Sequence, residues 1–451
     1  MQAQDMKAPD IQTIDARALE DRLRQGYATV GIVGLGYVGL PLTLAACSAG
    51  FQVLGFDING PMVAGLNRGI SPLKHISDDR VAAVVRKRLF EATDDFSRLA
   101  EPDAILICVP TPLGRHREPD LSHVENTARE IAARLRPGQV VILESTSYPG
   151  TTREVVKSVL ETSGLRSGVD FFLAYSPERE DPGNLDFETS RIPKIVAGDG
   201  EDALALARAL YDQIVVRTVP VSSLDTAEAV KLTENIFRAV NIALVNELKV
   251  VFHAMGIDIF EVIEAAKTKP FGYMPFYPGP GLGGHCIPID PFYLTWKARE
   301  VEISTRFIEL AGEINTSMPQ YVVLRTAQEL DRHFGKGLNG SKILVVGLAY
   351  KTNVDDTRES PALTIIGLLE DRGAEVAYHD PHVPVIPMTR AHARIAGRRS
   401  MALEPEAVAA CDAVVVVTDH DAIDWEVIAT NARLAIDTRN RLPRTGTVFH
   451  A

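Results

Sequence analysis

At 451 residues, the chain is too long for one ordinary domain, and we expect two or three. Its net charge of −12 argues against general nucleic-acid binding, which needs a basic face. A hydrophobic content of 46% with 24% charged residues is typical of a soluble globular protein. No apolar run approaches the ~18–20 residues of a membrane span, and the N-terminus has no apolar core of a secretory signal. We therefore expect neither nucleic acid nor membrane as a partner.

Four cysteines occur, at positions 47, 108, 286 and 411. Cys47, Cys108 and Cys411 stand in or beside apolar segments, where buried free thiols are the default. No C-x-x-C pair indicates zinc or a redox centre, so we expect no metal site. Free thiols favour a reducing cytoplasm.

After a polar lead-in (residues 1–27) with a short helix at 16–25, the chain begins with a nucleotide-binding pattern. An apolar strand at 29–33 leads into Gly34-Leu35-Gly36-Tyr37-Val38-Gly39, a helix at 40–49, and a strand that ends at Asp57. In G-x-G-x-x-G, the first glycine allows a tight turn, the second admits the pyrophosphate and the third lets helix and strand pack closely. The carboxylate of Asp57 suits a ribose diol and repels a 2′-phosphate, so the pattern predicts NAD.

Further βα units follow, and polar residues stand where their strands end. These are Thr111 after a strand at 103–109, and Ser145 and Thr146 after a strand at 140–143. Ligands of open parallel sheets bind beyond the carboxyl ends of strands, so we expect these side chains to face the cofactor. A strand at 171–175 leads into a charged loop with Glu178, and 194–198 is predicted as the last strand of this domain.

The middle of the chain is predicted to be helical. A long helix at 226–255 carries Lys231 and Asn235 four residues apart, hence on one face. A second helical stretch, 304–333, is interrupted only at Pro319.

Between these helices lies the loop 278–291, too rich in glycine and proline for regular structure. It carries Cys286, with Asp290 four residues later. The thiol is a candidate nucleophile; taken alone, the loop also fits a tight turn with an incidental cysteine. We expect Gly281, Gly283 and Gly284 to let a ligand lie against the backbone.

The α/β alternation resumes after residue 335, with strands at 342–347, 375–378, 412–417 and 434–436 and a helix at 361–372. This half lacks a dinucleotide fingerprint but offers Lys351 after its first strand, as a cation for a diphosphate. The fold class is therefore α/β, with two Rossmann-like doubly wound domains joined by a central helical region with a long helix. We place the NAD domain at 28–215, the central region at 216–334 and a nucleotide-sugar domain at 335–451.

A hydride acceptor, a lysine with an asparagine, and a thiol together suit oxidation of an alcohol to an acid. The thiolate adds to the intermediate aldehyde, and the resulting thiohemiacetal loses a second hydride to become a thioester that is hydrolysed.

At this point the chain resembles the UDP-glucose/GDP-mannose dehydrogenase family over nearly all of residues 28–445. The resemblance rests on these motifs: Gly34-Leu35-Gly36-Tyr37-Val38-Gly39, Glu144-Ser145-Thr146, Ser176-Pro177-Glu178-Arg179, Lys231-Leu232-Thr233-Glu234-Asn235, Gly283-Gly284-His285-Cys286 and Asp356-Thr357-Arg358-Glu359-Ser360.

The resemblance implies a role for each matching residue. Cys286 matches the nucleophile, Lys231 and Asn235 the oxyanion-stabilising pair, and Glu178 the general acid/base of thioester hydrolysis. Asp290 and Thr146 match residues that hold a catalytic water. The remaining matches are cofactor contacts (Gly34, Gly36, Tyr37, Val38, Gly39, Asp57, Thr111, Ser145, Arg358) and substrate contacts (Glu178, Lys231, Asn235, Tyr277, Gly279, Gly281, Gly283, Lys351).

Departures from the UDP-glucose enzymes bear on the sugar. Where those enzymes carry a second glutamate, this chain has Pro182, and where they carry arginines it has Met62 and Pro270. The segment 271–286 is most similar to bacterial UDP-N-acetylglucosamine 6-dehydrogenases. The resemblance thus implies oxidation of a UDP-N-acetylhexosamine at C6, with UDP-N-acetylglucosamine first, for surface polysaccharide synthesis; UDP-glucose and the N-acetylmannosamine and N-acetylgalactosamine compounds stay open.

Two other functions remain as alternatives. A two-electron hydroxyacid dehydrogenase with a structural Cys286 would have no use for the C-terminal α/β half. A non-catalytic nucleotide-sugar sensor would not need Cys286, Lys231, Asn235, Asp290 and Glu178 together. The resemblance also implies a homodimer or larger homo-oligomer, with the long helix at the interface.

Overall fold

The computed structural model describes residues 16–114, 117–180, 189–284, 287–389 and 392–451. The chain divides into two compact units, Met1–Leu232 and Thr233–Ala451. In the described ranges, no helix is long and apolar enough to cross a membrane.

The strands, numbered in chain order, are β1 Thr29–Val33, β2 Gln52–Phe56, β3 Phe90–Thr93, β4 Ala104–Ile107, β5 Val140–Leu143, β6 Phe172–Tyr175, β7 Lys194–Gly198, β8 Thr218–Pro220, β9 Lys342–Val346, β10 Glu375–His379, β11 Ala413–Val416, β12 Ala435–Asp437 and β13 Val448–His450. The α-helices are α1 Ala16–Arg24, α2 Gly39–Ser48, α3 Gly60–Asn67, α4 Asp78–Arg86, α5 Ser122–Ala132, α6 Lys157–Leu160, α7 Glu201–Ile214, α8 Leu224–Ala254, α9 Ile259–Ala266, α10 Asp290–Ala298, α11 Arg306–Phe334, α12 Pro361–Asp371, α13 Pro405–Ala409 and α14 Trp425–Asn431.

The first unit is built on an eight-stranded sheet in the order β3-β2-β1-β4-β5-β6-β7-β8. Its strands are continuously apolar because both faces are covered. In β5, Val140 and Ile142 belong to one core, whereas Val141 and Leu143 belong to the core on the opposite face. The neighbouring strands from β3 to β6 pair in parallel, which brings their carboxyl ends to one edge of the sheet.

The prediction that 194–198 is the last strand of this sheet is wrong. β7 runs antiparallel to β6, and β8 pairs with it in parallel as the true edge strand. β8 has three residues and ends in Pro220. A strand so short that contains proline gives almost no alternation signal, and proline is tolerated at an edge because that side needs no donor.

The second unit contains a five-stranded parallel sheet in the order β10-β9-β11-β12-β13. Alternate residues of β9 and β11 again enter two cores, Ile343 and Val345 on one face and Leu344 and Val346 on the other. The α/β class predicted from the sequence is confirmed in both units. The second helical stretch is one continuous helix, α11, because Pro319 lies inside it without ending it.

A buried carboxylate organises the carboxyl edge of this second sheet. Asp380, directly after β10, accepts a hydrogen bond from His420 Nε2 at 3.0 Å. It also accepts four backbone N–H bonds, from Leu348, Ala349, His382 and Val383. Burial raises the pKa of Asp380, but His420 and the backbone amides outweigh burial and leave the pKa well below its ordinary value.

We expect Asp380→Asn to lower the free energy of unfolding at pH 7 by about 2–4 kcal/mol, because a neutral amide replaces an ionised acceptor of five hydrogen bonds. The pKa of Asp380 is lower in the folded protein than the unfolded value of about 3.9, so the ionised carboxylate stabilises the fold above that pH. This stabilisation is lost as the pH falls below about 3.9. The difference from the unsubstituted protein should therefore shrink below about pH 4.

Denaturant unfolding across this pH range measures the effect. Asp371→Asn is the matched control, since Asp371 makes an exposed ion pair with Arg394 that is worth about 0–1 kcal/mol. Equal losses in the two variants would contradict the assigned role of Asp380.

Candidate active site

The glycine-rich turn after β1 contains one position with open space beside it. A Cβ on Gly36 would meet no atom within 4 Å, whereas one on Gly39 would lie 1.8 Å from the Gly34 carbonyl oxygen. Gly34 has a φ of +93°, in the left-handed region that favours glycine. Gly39 is thus required by close packing of strand and helix, while Gly36 leaves a cradle that a phosphate can fill. The turn fits the pyrophosphate of NAD.

Asp57 holds this turn from the end of β2. Its Oδ2 accepts the Leu35 N–H and its Oδ1 accepts the Asn59 N–H, both at 2.9 Å. The side chain is half-buried, and an ionised carboxylate has further acceptor sites for a ribose diol. Tyr37 stacks on His75 with ring centroids 5.7 Å apart, and Val38 directly precedes α2.

The polar residues at the ends of β4 and β5 join the two strand-end loops. The Thr111 hydroxyl donates to the Thr146 carbonyl oxygen at 2.8 Å, and the Ser145 hydroxyl donates to the Val109 carbonyl oxygen at 2.7 Å. Thr111 and Ser145 are buried, and Thr146 is half-buried. The structure thus brings together the three hydroxyl residues singled out at these strand ends, and their ligand contacts stay predictions.

Glu178 lies in a buried charge cluster. One carboxylate oxygen accepts the backbone N–H groups of Arg179 and Glu180, both at 2.6 Å. Its other oxygen lies 3.4 Å from Nζ of Lys194, which is 2.8 Å from a carboxylate oxygen of Glu144. Burial raises the pKa of Glu144 to about 7. A lysine with two carboxylates inside the protein is a site where protonation states are coupled.

A further buried carboxyl group, that of Glu228, ties α8 to the segment that follows Thr146. It accepts the Gly150 N–H at 2.6 Å, the Thr152 N–H at 2.8 Å and the Thr152 hydroxyl at 2.7 Å. These donors open a π-helical turn, Thr151–Val156, a geometry frequent at functional sites. Burial raises the pKa of Glu228 to about 7. Since Lys231 follows within one turn of α8, Glu228 fixes the helix position of that lysine.

In the second unit, Asn235 and Asp290 are in direct contact. The Asn235 amide donates to Asp290 Oδ2 at 2.5 Å, and both side chains are buried. Arg238 donates to the Asn235 amide oxygen at 2.8 Å, which fixes the orientation of the amide. Asp290 is the first residue of α10. Cys286, the predicted nucleophile, lies outside the described residues.

The loop before Cys286 is held by side chains of α8 and α9. Asn246 accepts the Gly279 N–H at 2.9 Å, and Lys249 Nζ donates to the Gly279 carbonyl oxygen at 3.2 Å. Tyr277 donates its hydroxyl to Glu264 at 2.7 Å. Burial, followed by the charge of Arg439, lowers the pKa of Lys249 to about 7.

The later glycines of this loop are explained by protein packing. A Cβ on Gly281 would lie 3.2 Å from Pro361 and 3.3 Å from Pro319, and one on Gly283 would lie 2.5 Å from Tyr350. Gly284 is also packed against the Tyr350 ring. The protein's own side chains thus occupy the space where a Cβ of these glycines would lie, and the contact of their backbone with a ligand stays a prediction.

A cavity of about 370 Å³ lies beside the same loop, wholly within the second unit. Its lining comprises Phe260, Glu264, Tyr277, Pro278, Asp419, Arg439 and Asn440. The aromatic rings offer faces for a base, and the guanidinium of Arg439 offers a partner for phosphate or ribose oxygens. Arg439 follows β12 and is fixed by donating its Nε–H to the Val417 carbonyl oxygen at 2.8 Å.

Lys351 and Arg358 lie in the segment between β9 and α12. Lys351 is half-buried. Arg358 makes a bidentate contact with Asp356, with guanidinium–carboxylate distances of 2.6–3.0 Å, and its carbonyl oxygen accepts the Gly284 N–H at 2.9 Å. Their contacts with substrate and cofactor stay predictions.

Sequence reasoning missed Lys194, Tyr211, Glu228 and Arg439. Lys194 opens a strand whose first four residues are all buried, and a charged residue in such a strand is a signal that could have found it. Glu144 likewise follows a wholly buried strand. Tyr211 and Glu228 lie on helices where nothing local distinguishes them from other interior residues.

Alanine at the second and at the third glycine of the turn should have opposite effects. Gly36→Ala should keep the melting temperature of the unsubstituted protein and weaken NAD affinity by about tenfold or more, because its methyl group fills the cradle. Gly39→Ala should lower the free energy of unfolding by about 1–3 kcal/mol or more, because the methyl group overlaps the Gly34 carbonyl oxygen. Calorimetric titration and thermal melts measure both; unchanged NAD binding by Gly36→Ala would contradict the assignment.

Comparison with known proteins places the whole chain in one family. Profiles of the UDP-glucose/GDP-mannose dehydrogenase family match in order: the NAD binding domain at residues 28–215, the central domain at 225–317 and the UDP binding domain at 344–444.

Individual relatives agree with this. UDP-N-acetyl-D-glucosamine 6-dehydrogenase of Pseudomonas aeruginosa is 38% identical over 334 residues, covering 73% of this chain and 78% of that protein. UDP-N-acetyl-D-mannosamine dehydrogenase of Pyrococcus horikoshii is 36% identical over 418 residues, covering 91% and 95%. A solved structure of the UDP-D-ManNAc dehydrogenase from Pyrococcus horikoshii superposes with a TM-score of 0.83 at 35% identity, covering 94% of this chain and 98% of that one. The chain therefore belongs to the UDP-glucose/GDP-mannose dehydrogenase family and is an NAD-dependent nucleotide-sugar dehydrogenase.

Proposed function

We propose that the protein oxidises the C6 hydroxyl of a UDP-N-acetylhexosamine, with UDP-N-acetylglucosamine as the first candidate, to the uronic acid used in surface polysaccharides. NAD supplies the acceptor for each of the two hydrides. The observation that carries the proposal is the buried hydrogen bond between Asn235 and Asp290. It joins Asn235, a donor assigned to the oxyanion, with Asp290, an acid assigned to the hydrolytic water. Asp290 lies four residues after the nucleophile in the chain.

Each chemical step has a residue assigned to it. Lys231 and Asn235 stabilise the alkoxide and later oxyanions through charge and hydrogen bonds. The Cys286 thiolate adds to the aldehyde, and loss of the second hydride leaves a thioester. Glu178 takes a proton from water, the water oxygen adds to the thioester carbon, and the carbon–sulfur bond breaks with its electrons on the Cys286 sulfur. The family resemblance assigns Asp290 and Thr146 to this water.

The cavity beside Tyr277 and Arg439 supports a site for the UDP group. Its aromatic rings and the Arg439 guanidinium match a base, a ribose and a diphosphate, and the family resemblance assigns Tyr277, which lines the cavity, to the substrate. Lys351 is assigned to the diphosphate. Beneath the loop, the buried Lys249 donates to the Gly279 carbonyl oxygen at 3.2 Å.

The identity of the sugar is the finer part of the proposal. UDP-N-acetylglucosamine is favoured by the segment 271–286 and by the Pseudomonas relative, whereas the Pyrococcus relative is named for UDP-N-acetylmannosamine. UDP-N-acetylmannosamine is the runner-up, followed by the N-acetylgalactosamine and glucose compounds. A cytoplasmic location is supported by three free, buried thiols, those of Cys47, Cys108 and Cys411, because a reducing compartment keeps thiols free.

We expect the purified protein to form two NADH per sugar, and to have its highest kcat/KM on UDP-N-acetylglucosamine in a panel of UDP sugars. Cys286→Ser should stop at one NADH with release of aldehyde, because a hydroxyl is a far weaker nucleophile than a thiol at neutral pH. Absorbance at the NADH maximum, with mass spectrometry of the sugar product, measures both outcomes.

Cys411→Ser is the matched control: it alters a free buried thiol in the C-terminal half and should keep the yield at two NADH. One NADH per sugar from the unsubstituted protein would contradict the thioester route. Absence of NADH with every sugar of the panel would exclude these UDP sugars as substrates.

An apolar stripe on α8 supports a homodimer. Phe237, Leu244 and Val251 lie seven residues apart and are 48%, 52% and 45% exposed. Seven-residue spacing puts them on one side of the helix, as in helices that pair with a second helix. A monomer would leave this stripe in water, at a cost that pairing with a second copy removes.

Leu244→Glu should convert the protein to a monomer, because it places a charge at the centre of the stripe. Light scattering coupled to size-exclusion chromatography measures the mass. Met388→Glu changes a single exposed apolar residue of the C-terminal half and should leave the mass of the assembly unchanged. A monomeric unsubstituted protein at micromolar concentration would overturn the dimer.

A further inference from the structure

The charge cluster behind Glu178 contains groups to which the family motifs assign no role. Lys194 stands at its centre, with Nζ 2.8 Å from Glu144 and 3.4 Å from Glu178. The side chains of the three residues are 4%, 0% and 11% exposed, respectively. The Tyr211 hydroxyl donates to the other oxygen of Glu144, and its ring lies 5.1 Å from Lys194 Nζ. Water therefore cannot replace these contacts.

Both oxygens of Glu178 are fixed by this arrangement. One accepts two backbone N–H bonds, and the other faces the ammonium group of Lys194, which also donates to the Pro177 carbonyl oxygen at 3.3 Å. The charged groups that act on Glu178 from other elements are Lys194 on β7, Lys231 on α8 and, beyond Lys194, Glu144 after β5. The Cys108 thiol after β4 faces the same cluster and is neutral, since burial raises its pKa.

The cluster decides the protonation state of Glu178. Burial alone raises the pKa of a carboxyl group, and it does so for Glu144. At Glu178, burial is outweighed by Lys194, by the N–H groups of Glu180 and Arg179, and by Lys231, so that its pKa lies below the ordinary value. The pKa values of two buried carboxyl groups in one cluster are thus shifted in opposite directions, a pattern found where active sites assign acid and base roles.

We propose that Lys194 is a positioning residue for hydrolysis of the covalent intermediate: its ammonium group holds the Glu178 carboxylate ionised and oriented, while Glu144 and Tyr211 hold Lys194 in place. The inference rests on the proposed function. In the step concerned, water loses a proton to Glu178 as its oxygen bonds to the thioester carbon. The Cys286 thiolate leaves with the electrons of the carbon–sulfur bond and takes the proton from Glu178, and the uronic acid ionises in solvent.

Lys194→Met separates this role from a structural one. The variant should still form the thioester, since Lys194 takes no part in either hydride transfer. Without the cation, burial keeps Glu178 protonated to higher pH, so hydrolysis should slow by about tenfold or more at pH 6 and recover as the pH rises. The readout is the fraction of acylated protein, measured by intact-mass spectrometry after acid quench, at each pH from about 5 to 9.

Three further variants make the result interpretable. Glu144→Gln leaves Lys194 beside Glu178 and should not move the acid limb to higher pH. The double variant, Lys194→Met with Glu144→Gln, should shift the acid limb as far as Lys194→Met does. It serves if the single variant does not fold, because it leaves no buried Glu144 charge without its partner. Lys157→Met breaks the ion pair with Asp199 in the same unit and should leave the profile unchanged.

An unshifted acid limb in Lys194→Met, or in the double variant, overturns the inference while the proposed function stands. A shift in Lys157→Met as large as that in Lys194→Met also overturns it, because the effect would then follow general destabilisation. Failure of the unsubstituted protein to form any acylated species with UDP sugar and NAD is a separate outcome, which removes the proposed function itself.

Discussion

Hydrogen bonds from backbone N–H groups to carboxylates hold the loops from which the active site is built. Asp57 accepts such bonds in the fingerprint turn, Glu178 in its own loop, Glu228 at the π-helical turn and Asp380 in the second sheet. Loops that carry polar ligands cannot satisfy their amides in a sheet ladder, and an unpaired buried amide costs about 1–3 kcal/mol. A carboxylate serves several amides at once, which makes the loop geometry rigid without ligand.

Both sheets have a carboxylate that accepts backbone N–H groups, but the space beside the neighbouring glycine differs between them. Asp57 accepts two amides and stays half-buried, and the neighbouring Gly36 has open space beside it. Asp380 is saturated by four amides and His420, and a Cβ on Gly347 would lie 2.2 Å from the Thr418 carbonyl oxygen. The first edge has open space at Gly36, whereas the second is closed at Gly347 and has its cavity farther along, beside Asp419 and Arg439, which follow β11 and β12.

Patterns of neighbouring residues in the sequence predicted the elements that short-range contacts determine. Continuous apolar runs identified the central strands, and the spacing of Gly34, Gly36, Gly39 and Asp57 identified the NAD turn, because these residues lie close together in sequence within one βαβ unit. β8 was missed because three residues ending in proline carry no alternation. The packing of the loop glycines against Tyr350, Pro319 and Pro361 joins residues far apart in the chain, so no short-range pattern indicates it. The pairing of Lys194 with Glu144 and Glu178 joins positions up to 50 residues apart and depends on strand order, which short-range patterns do not encode.

The preformed fingerprint turn has a kinetic consequence for the proposed removal of two hydrides from one sugar. In that proposal, two cofactor molecules pass in succession through a single NAD domain while the sugar stays at the aldehyde level. Because Asp57 already orders the turn through Leu35, neither molecule has to fold its own binding site, and little conformational entropy is lost at each exchange. A short interval between the departure of one nicotinamide and the arrival of the next limits the time in which a reactive aldehyde could escape.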